Sequence, residues 1–211
     1  MPPLLICGTR TFAEEVADLA ADMPGWEVAG FVENESRERC SETLNGLPIH
    51  WVDDLADMTD THHAVCALAT TGRDRFTHQV EQLGMQFARL VHPAAHVSGT
   101  STLGAGTIVS AGAVVGAHTR IGRHTILNRG VLVGHHTAIG DHCTLNPGAN
   151  VAGKTTLHDR VFVGMGAKVL DVEVGPEAVV GAGAVVTKSV PKRAVVMGVP
   201  ARVVEGASGP K

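Results

Sequence analysis

The sequence has few aromatic residues and little excess of charge. Tyr is absent, aromatic residues make up 3% of the 211 residues, and the formal net charge is -4. Because phosphate backbones are held mainly by Lys and Arg, general nucleic-acid binding is not expected. Hydrophobic residues nevertheless reach 44%. A core of small aliphatic side chains with few rings favours narrow, repeated packing.

Long apolar runs and cysteine motifs are also missing. No stretch approaches the ~18 apolar residues that span a bilayer, and MPPLLICGTR lacks the features of a signal peptide. We therefore expect a cytoplasmic protein that does not act at a membrane. The four cysteines lie far apart without a CxxC pair, so neither a disulfide framework nor a structural zinc site is indicated.

Residues 1–90 alternate between strand and helix patterns. Apolar runs at 4–7, 26–32, 63–69 and 85–91 predict strands, and helical spacing predicts helices at 11–23 and 74–84. Such alternation is typical of a small parallel sheet covered by helices.

Residues 91–190 carry a six-residue repeat. An aliphatic residue recurs at every sixth position from 91 to 169, the frame slips by one within VLDVE (169–173), and the repeat resumes at Val174. The aliphatic positions are Val91, Val97, Leu103, Val109, Val115, Ile121, Leu127, Val133, Ile139, Leu145, Val151, Leu157, Val163 and Val169. The pattern resembles the hexapeptide repeat of acyltransferases with a left-handed parallel β-helix, in which three hexads form one triangular coil. So regular a sequence is needed because left-handed crossovers oppose the usual rule.

A coil of eighteen residues stacks residue n under residue n+18, about 4.8 Å apart. This places His118 under His136, and His124 under His142. These four histidines share one hexad position at an outward corner. For His118, His124 and His142 we expect a solvated corner residue or a subunit contact.

His135 has different neighbours. Counting eighteen residues in each direction gives Ala117 and Gly153, so His135 lies in a trough of small residues. Gly153 has no side chain to mask its N–H. An imidazole beside a bare N–H is a plausible pair of general base and oxyanion donor.

A metal site is a competing interpretation of the histidines. The γ-class carbonic anhydrases use the same β-helix and bind zinc through histidines at a subunit interface. The pair His118 and His136 can begin such a site, but those enzymes lack a preceding domain like residues 1–90.

The whole chain resembles the sialic acid O-acetyltransferase-like family, which includes bacterial N-acetyltransferases of nucleotide-linked amino sugars. The segments that carry the resemblance are GTRTFAEEVADLA (8–20), GFVEN (30–34), LVHPAAHVS (90–98), LNRGVLVGHHTAIGDHCTLNPGANVAG (127–153), GAGAVVTKSVP (181–191) and MGVPARVV (197–204). The resemblance implies a Rossmann-like α/β domain for nucleotide-sugar binding (1–90), a left-handed parallel β-helix acetyltransferase domain (91–190), a C-terminal tail (191–211) and a homotrimer.

The same resemblance implies a reaction and its residues. His135 would be the general base in a direct attack on acetyl-CoA, without an acyl-enzyme, and the N–H of Gly153 would be the oxyanion donor. Acetyl-CoA would lie between subunits against Met165, Gly181 and Ala182. Thr144 also belongs to this cofactor set, at a position where relatives often have a histidine. No metal is required, because the thioester is already activated.

Two parts of the chain depart from the family. The glycine-rich turn that would bind the nucleotide is Gly8-Thr9-Arg10 here, with a single glycine, and Glu33 occupies the place of an acidic residue that contacts the nucleoside. His136 follows the base where many relatives have Glu or Asp to orient the imidazole. A neutral histidine can accept that hydrogen bond but stabilises an imidazolium less.

These observations predict an acetyl-CoA-dependent acetyltransferase acting on an amino group, or less readily a hydroxyl, of a nucleotide-linked sugar. Two alternatives remain open at this point. One is a β-helix protein that binds a nucleotide sugar without catalysis, and the other is a metalloenzyme like the γ-class carbonic anhydrases.

Overall fold

The computed structural model describes residues 2–207, and residues 2–90 form a mixed α/β sheet. The elements are β1 (Pro3–Cys7), α1 (Thr11–Ala21), β2 (Glu27–Glu33), β3 (Thr43–Leu44), β4 (Leu47–Trp51), β5 (His63–Cys66), α2 (Asp74–Gln82) and β6 (Gln86–Phe87). Short 3-10 helices cover Arg37–Ser41, Val52–Met58 and Thr71–Arg73. The strand order is β3-β4-β2-β1-β5-β6, and only β3 and β4 pair antiparallel.

The central strand β1 explains the unbroken apolar run near the start of the chain. Leu4, Leu5, Ile6 and Cys7 are all 0% exposed because both faces of the sheet are covered. Helix α1 packs through Ala13, Val16, Ala17 and Ala20 against one face. Within the described residues, neither helix is long and apolar enough to span a bilayer.

The rest of the chain winds into a coil of two-residue strands. They are β7 (Leu90–Val91), β8 (His96–Val97), β9 (Thr102–Leu103), β10 (Ile108–Val109), β11 (Val114–Val115), β12 (Arg120–Ile121), β13 (Ile126–Leu127), β14 (Leu132–Val133), β15 (Ala138–Ile139), β16 (Thr144–Leu145), β17 (Asn150–Val151), β18 (Thr156–Leu157), β19 (Phe162–Val163), β20 (Lys168–Val169), β21 (Glu173–Val174), β22 (Val179–Val180) and β23 (Val185–Val186), followed by β24 (Val195–Met197) and β25 (Arg202–Val203).

Every third strand pairs in parallel, which gives three sheets and confirms the six-residue repeat as a parallel β-helix. Sheet A contains β7, β10, β13, β16, β19, β22, β24 and β25, sheet B contains β8, β11, β14, β17, β20 and β23, and sheet C contains β9, β12, β15, β18 and β21. Paired residues are eighteen apart, as in Val133↔Val151. After the slip within 169–173 the distance becomes seventeen, as in Thr156↔Glu173.

The repeated aliphatic residues fill the interior of the coil, and almost all of those from Val109 to Val169 are less than 5% exposed. Most turns between the strands of the coil contain one residue with positive φ. In many turns it is glycine, but in others it is His118 (φ 57), His124 (φ 53), His136 (φ 57) or His142 (φ 56). Histidine is among the residues that tolerate this backbone conformation. The backbone conformation of the turns is therefore one structural reason for histidine at these four positions.

The junction between the two parts differs from the sequence prediction of one strand over 85–91. That segment splits into β6, which pairs with β5, and β7, which pairs with β10. The chain leaves the flat sheet between them and starts the coil. Outward residues of sheet A, Leu90, Ile108 and Ile126, join the apolar core under α1.

Strands β3, β4, β24 and β25 were not predicted from the sequence. Pro48 and His50 interrupt the apolar pattern of β4, which is held by pairing with β2. The predicted C-terminal tail (191–211) continues sheet A through β24 and an antiparallel β25. Its last four residues, 208–211, lie outside the described residues.

Arg73 clamps the α/β region to the coil and is 0% exposed. Its Nε and one terminal nitrogen donate to the carbonyl oxygen of His124 at 2.8 and 2.7 Å, and further bonds reach Cys143 O at 2.7 Å and Thr144 Oγ1 at 2.8 Å. The guanidinium also donates to Thr70 O and, at 3.3 Å, to Leu68 O. Burial lowers its pKa to about 10, so it remains charged at neutral pH.

We predict that Arg73→Met destabilises the fold by more than ~3 kcal/mol, because the carbonyl oxygens of His124, Leu68 and Thr70 lose a charged donor at once. Urea unfolding measures the change. Arg75→Met is the matched control, since Arg75 is exposed and its loss should change the free energy of unfolding by less than ~0.5 kcal/mol. Equal stability of both variants would contradict the clamp.

Candidate active site

His135 is exposed in the turn between β14 and β15, directly before His136 with its positive φ. The Nδ1 atoms of the two rings are 3.1 Å apart. If Nδ1 of His135 carries the proton and donates to His136, Nε2 of His135 is left with a free lone pair. His136 in turn contacts His118, with ring centroids 4.9 Å apart. The contact with His136 therefore orients the imidazole of His135.

The other side of the His135 ring lies against Gly153, as the count of eighteen predicts. A Cβ placed on Gly153 would be 2.9 Å from Cε1 and 3.0 Å from Nε2 of His135, distances too short for real side chains. Glycine at this position is therefore what allows the imidazole to lie beside the backbone. The structure brings together the two residues that the sequence singled out.

The N–H of Gly153 has no hydrogen-bond acceptor within residues 2–207. The neighbouring edge of the coil indicates what such an N–H can bind. At the same hexad position, Arg123 N donates to Asp141 Oδ1 at 2.7 Å, and Asp141 N donates to Asp159 Oδ1 at 2.9 Å. An N–H at this position thus points towards the next coil, where an anionic oxygen can accept a hydrogen bond from it.

The turn at Gly8 lies at the carboxyl end of β1, where the strand order of the sheet reverses. Gly8 has φ 124, and a Cβ there would be 3.2 Å from Ala67 O and 3.3 Å from Leu68 Cδ2. Glycine therefore allows the loops after β1 and β5 to approach closely. In open α/β sheets, ligands bind in the crevice at this switch point.

A cleft of about 340 Å³ opens at this place. Its lining comes from both parts of the chain: Arg10, Thr11, Phe12, Ala67, Leu68, Ala69, Thr70, Asn146 and Phe162. Because helix α1 begins here, the positive end of its dipole faces the cleft. No side chain caps this end of the helix. The exposed Arg10 adds a full positive charge. The cleft is suited to an anionic ligand.

Thr9 and Glu33 are buried and bind each other. Thr9 Oγ1 donates to Glu33 Oε2, and Glu33 Oε1 accepts from Asn34 N at 2.9 Å and Glu35 N at 2.8 Å. Burial disfavours the charged carboxylate, but these hydrogen bonds outweigh it and lower the pKa of Glu33. Glu33 therefore organises the loop after β2, and its oxygens already have partners within the chain.

The predicted cofactor residues lie at two different places. Met165, Gly181 and Ala182 lie around the edge between sheets A and B, with Met165 and Ala182 exposed. Thr144 does not join them and is a correction: it is 1% exposed, and its hydroxyl accepts from Arg73. Thr144 therefore belongs to the contact between the two parts of the chain.

The expectation of solvated corner histidines holds for His118 but is wrong for His124. His124 is 2% exposed, bonds Glu81 Oε1 through Nε2 at 2.9 Å and packs under Phe87. His142 is half-buried, stacks on His124 and lies 3.0 Å from Thr77 Oγ1. Both are covered by α2 and β6. Among residues 2–207, no group of three or more His, Cys, Asp or Glu side chains is arranged to hold a metal ion.

Sequence reasoning missed the cleft residues contributed by the loop after β5 and by the coil. This loop follows a predicted strand of a parallel sheet. Because ligands of such sheets bind at the carboxyl ends of the strands where the strand order reverses, residues 67–70 could have been predicted to line a site. Nothing in the sequence connects Asn146 or Phe162 to that loop, because their contact arises only when the two parts pack.

Several solved structures share this fold along nearly the whole chain. A variant of perosamine N-acetyltransferase from Caulobacter crescentus, in complex with CoA and GDP-perosamine, has a TM-score of 0.88 at 28% identity, with 96% of each chain covered. The acetyltransferase domain of PglB from Neisseria gonorrhoeae has a TM-score of 0.88 at 26% identity, with coverage of 97% and 100%. It also has a structure in complex with acetyl coenzyme A.

WeeI from Acinetobacter baumannii is a further neighbour, with a TM-score of 0.84, 26% identity and coverage of 95% and 99%. No protein-family model matches the chain, and no curated protein matches it in sequence. The resemblance to nucleotide-amino-sugar N-acetyltransferases of the hexapeptide-repeat family that the sequence indicates is confirmed by these structures.

His142 predicts a loss of stability in acid. Burial, helped by the positive charges of His124 and Arg73, lowers its pKa to about 4, whereas unfolded histidine titrates near pH 6.5. The unfolded chain therefore binds the proton first, and stability present above pH 6.5 is lost as the pH falls towards 4. Urea unfolding at several pH values should give a shallower slope for His142→Gln. The exposed His118→Gln is the control, and equal slopes for wild type and His142→Gln would refute the assignment.

Proposed function

We propose that this chain is a nucleotide-amino-sugar N-acetyltransferase of the hexapeptide-repeat family, which transfers the acetyl group of acetyl-CoA to a sugar amine. The acetyl-CoA-dependent transfer agrees with the ligands of its structural neighbours. The observation that carries the assignment is that the His135 imidazole lies beside Gly153, whose N–H has no acceptor within residues 2–207. A sugar hydroxyl is the less favoured acceptor.

In this mechanism Nε2 of His135 takes a proton from the amine as the amine nitrogen attacks the thioester carbonyl carbon. The carbonyl oxygen becomes an oxyanion, which accepts a hydrogen bond from Gly153 N–H. When the tetrahedral intermediate collapses, the C–S bond breaks and the leaving thiolate takes the proton from the imidazolium. No acyl-enzyme forms, and no metal is needed.

His136 replaces the carboxylate that orients the base in many relatives. In this proposal Nδ1 of His136, 3.1 Å from Nδ1 of His135, accepts a hydrogen bond from the protonated Nδ1 of His135 and so favours the tautomer that leaves Nε2 free. Because His136 is neutral in this role, it stabilises the imidazolium less than a carboxylate does. The chain therefore depends more on the oxyanion side of the site.

We further propose a homotrimer with active sites between subunits. His135 and Gly153 lie on the edge between sheets B and C, whereas Met165 and Ala182 lie on the edge between sheets A and B. One acetyl-CoA can contact both sets when the two edges come from neighbouring copies. The exposed Val114 (38%) and Leu132 (42%) on sheet B supply an apolar surface for that contact.

In this proposal residues 1–90 form the Rossmann-like nucleotide-sugar domain, and 91–190 form a left-handed β-helix that carries the transfer chemistry in the cytoplasm. The nucleotide occupies the cleft at the end of β1, with its phosphates towards Arg10 and the start of α1. Gly8 allows the close approach, while the buried pair of Thr9 and Glu33 holds the loops after β1 and β2 in place.

The central prediction concerns His135. His135→Ala should lower kcat by about 10²- to 10⁴-fold with little change in KM, since general base catalysis is worth that much. Release of CoA thiol measures turnover, with UDP-, GDP-, dTDP- and CMP-linked amino sugars as acceptors. His78→Ala, which removes an exposed histidine of α2, is the control.

Two results would contradict this assignment. Equal turnover of wild type and His135→Ala would remove His135 as the base. No thioester cleavage with any amino sugar, together with tight binding of a nucleotide sugar, would favour a binding protein without catalysis.

A second prediction concerns the nucleotide cleft. Arg10→Ala should raise KM for the nucleotide sugar roughly tenfold, which corresponds to losing one charged hydrogen bond of about 1.4 kcal/mol. KM for acetyl-CoA should stay the same. Arg37→Ala is the matched control, because Arg37 is exposed, contacts Asp54 and the ring of Trp51, and is not among the residues that line the cleft. An unchanged KM for the sugar in Arg10→Ala would place the phosphates elsewhere.

A further inference from the structure

A row of hydroxyl groups inside the coil holds the peptides that enter the edge turns. Four residues after an inward aliphatic residue, a threonine donates to the carbonyl fifteen residues further on. Thr119 Oγ1 reaches Gly134 O at 2.8 Å, Thr125 Oγ1 reaches Gly140 O at 2.9 Å, and Thr137 Oγ1 reaches Ala152 O at 3.2 Å. Each bond fixes the plane of one peptide at an edge.

The same peptides present their N–H groups on the opposite side, because C=O and N–H of a trans peptide point in opposite directions. The Gly140–Asp141 peptide is the clearest case. Thr125 holds its carbonyl, and Asp141 N donates to Asp159 Oδ1 at 2.9 Å. The peptide is thus held between a hydroxyl and an anionic oxygen. A polarised carbonyl also makes its own N–H a better donor.

The Ala152–Gly153 peptide has the same arrangement with one partner missing. Thr137, which is 1% exposed, holds Ala152 O. On the other side the Gly153 N–H finds no acceptor in the described part of the chain. Asp171, two residues after Val169, would take the place that Asp159 has over Asp141. The turn that carries Asp171 is one residue shorter, and no hydrogen bond joins it to Gly153.

We propose that Thr137 is a positioning residue, which aims the Gly153 N–H at the oxyanion and strengthens it as a donor. This inference rests on the proposed function, since it needs an oxyanion at Gly153. The coil itself does not require such a bond. In the next coil the equivalent hydroxyl, Thr155 Oγ1, is buried without a partner among residues 2–207, and the repeat continues.

The test is a graded series at position 137. Thr137→Val keeps the shape of the side chain and removes the hydroxyl, so kcat should fall about tenfold, less than the loss of a whole oxyanion donor. Thr137→Ser should recover most of kcat. Thr137→Cys should lie between them, because Cys143 occupies the same hexad position and its Sγ reaches His158 O at 3.0 Å. KM for acetyl-CoA and the pH profile set by His135 should not change.

Thr125→Val is the matched control, since it removes the same kind of hydroxyl at an edge away from His135. Because Thr125 Oγ1 also accepts from Cys143 N at 3.2 Å, its thermal midpoint should fall at least as much as that of Thr137→Val, with kcat within twofold of wild type. Unchanged kcat in Thr137→Val, or an equal loss in Thr125→Val, would overturn the positioning role while an inactive His135→Ala still supported the proposed function. Failure of wild type to transfer acetyl would overturn both.

Discussion

The vertical stacking of residues eighteen apart is the constraint on which the site depends. Backbone hydrogen bonds between successive coils hold each turn directly over the one before it, as in Lys154 N to His135 O at 2.9 Å. The aliphatic interior enforces that register, because a slip would turn a buried side chain outward. A rigid coil therefore sets the distance between His135 and Gly153 without any contact made for that purpose. The precision that catalysis needs is a property of the scaffold.

The proximity of His135 and Gly153 could be predicted from the sequence, because it follows from this local periodicity. Counting in the sequence placed Gly153 beside His135, and the structure agrees. Arg73, the burial of His124 and the true place of Thr144 were not open to such reasoning. They arise where α2 and β6 cover sheet A, and no repeat in the sequence records which coil residues a separate sheet will cover. Burial at a junction depends on tertiary packing. The hexad position of His124 predicts exposure, but in the folded chain His124 is buried beneath Phe87.

The histidines show how one residue type serves different purposes on a repetitive scaffold. The positive φ of the turns accounts for His118, His124, His136 and His142, and each then takes on the role of its surroundings. His124 and His142 are covered by the α/β part of the chain, and burial lowers the pKa of both. His136 is left on the surface beside His135. His135, the residue that we propose as the general base, precedes the turn residue and has no backbone reason to be histidine.

The departures from regularity are as informative as the repeat. Along one edge the aspartates Asp141 and Asp159 satisfy the N–H groups of the coil below them. Along the edge of His135 the residue in the corresponding place is Asp171, but the turn that carries it is one residue shorter, and within residues 2–207 the N–H of Gly153 has no acceptor. In the proposed site an oxyanion can therefore take the place that a carboxylate fills elsewhere in the coil. Thr137 holds the same peptide from inside the coil, which in our proposal keeps this N–H aimed at the oxyanion.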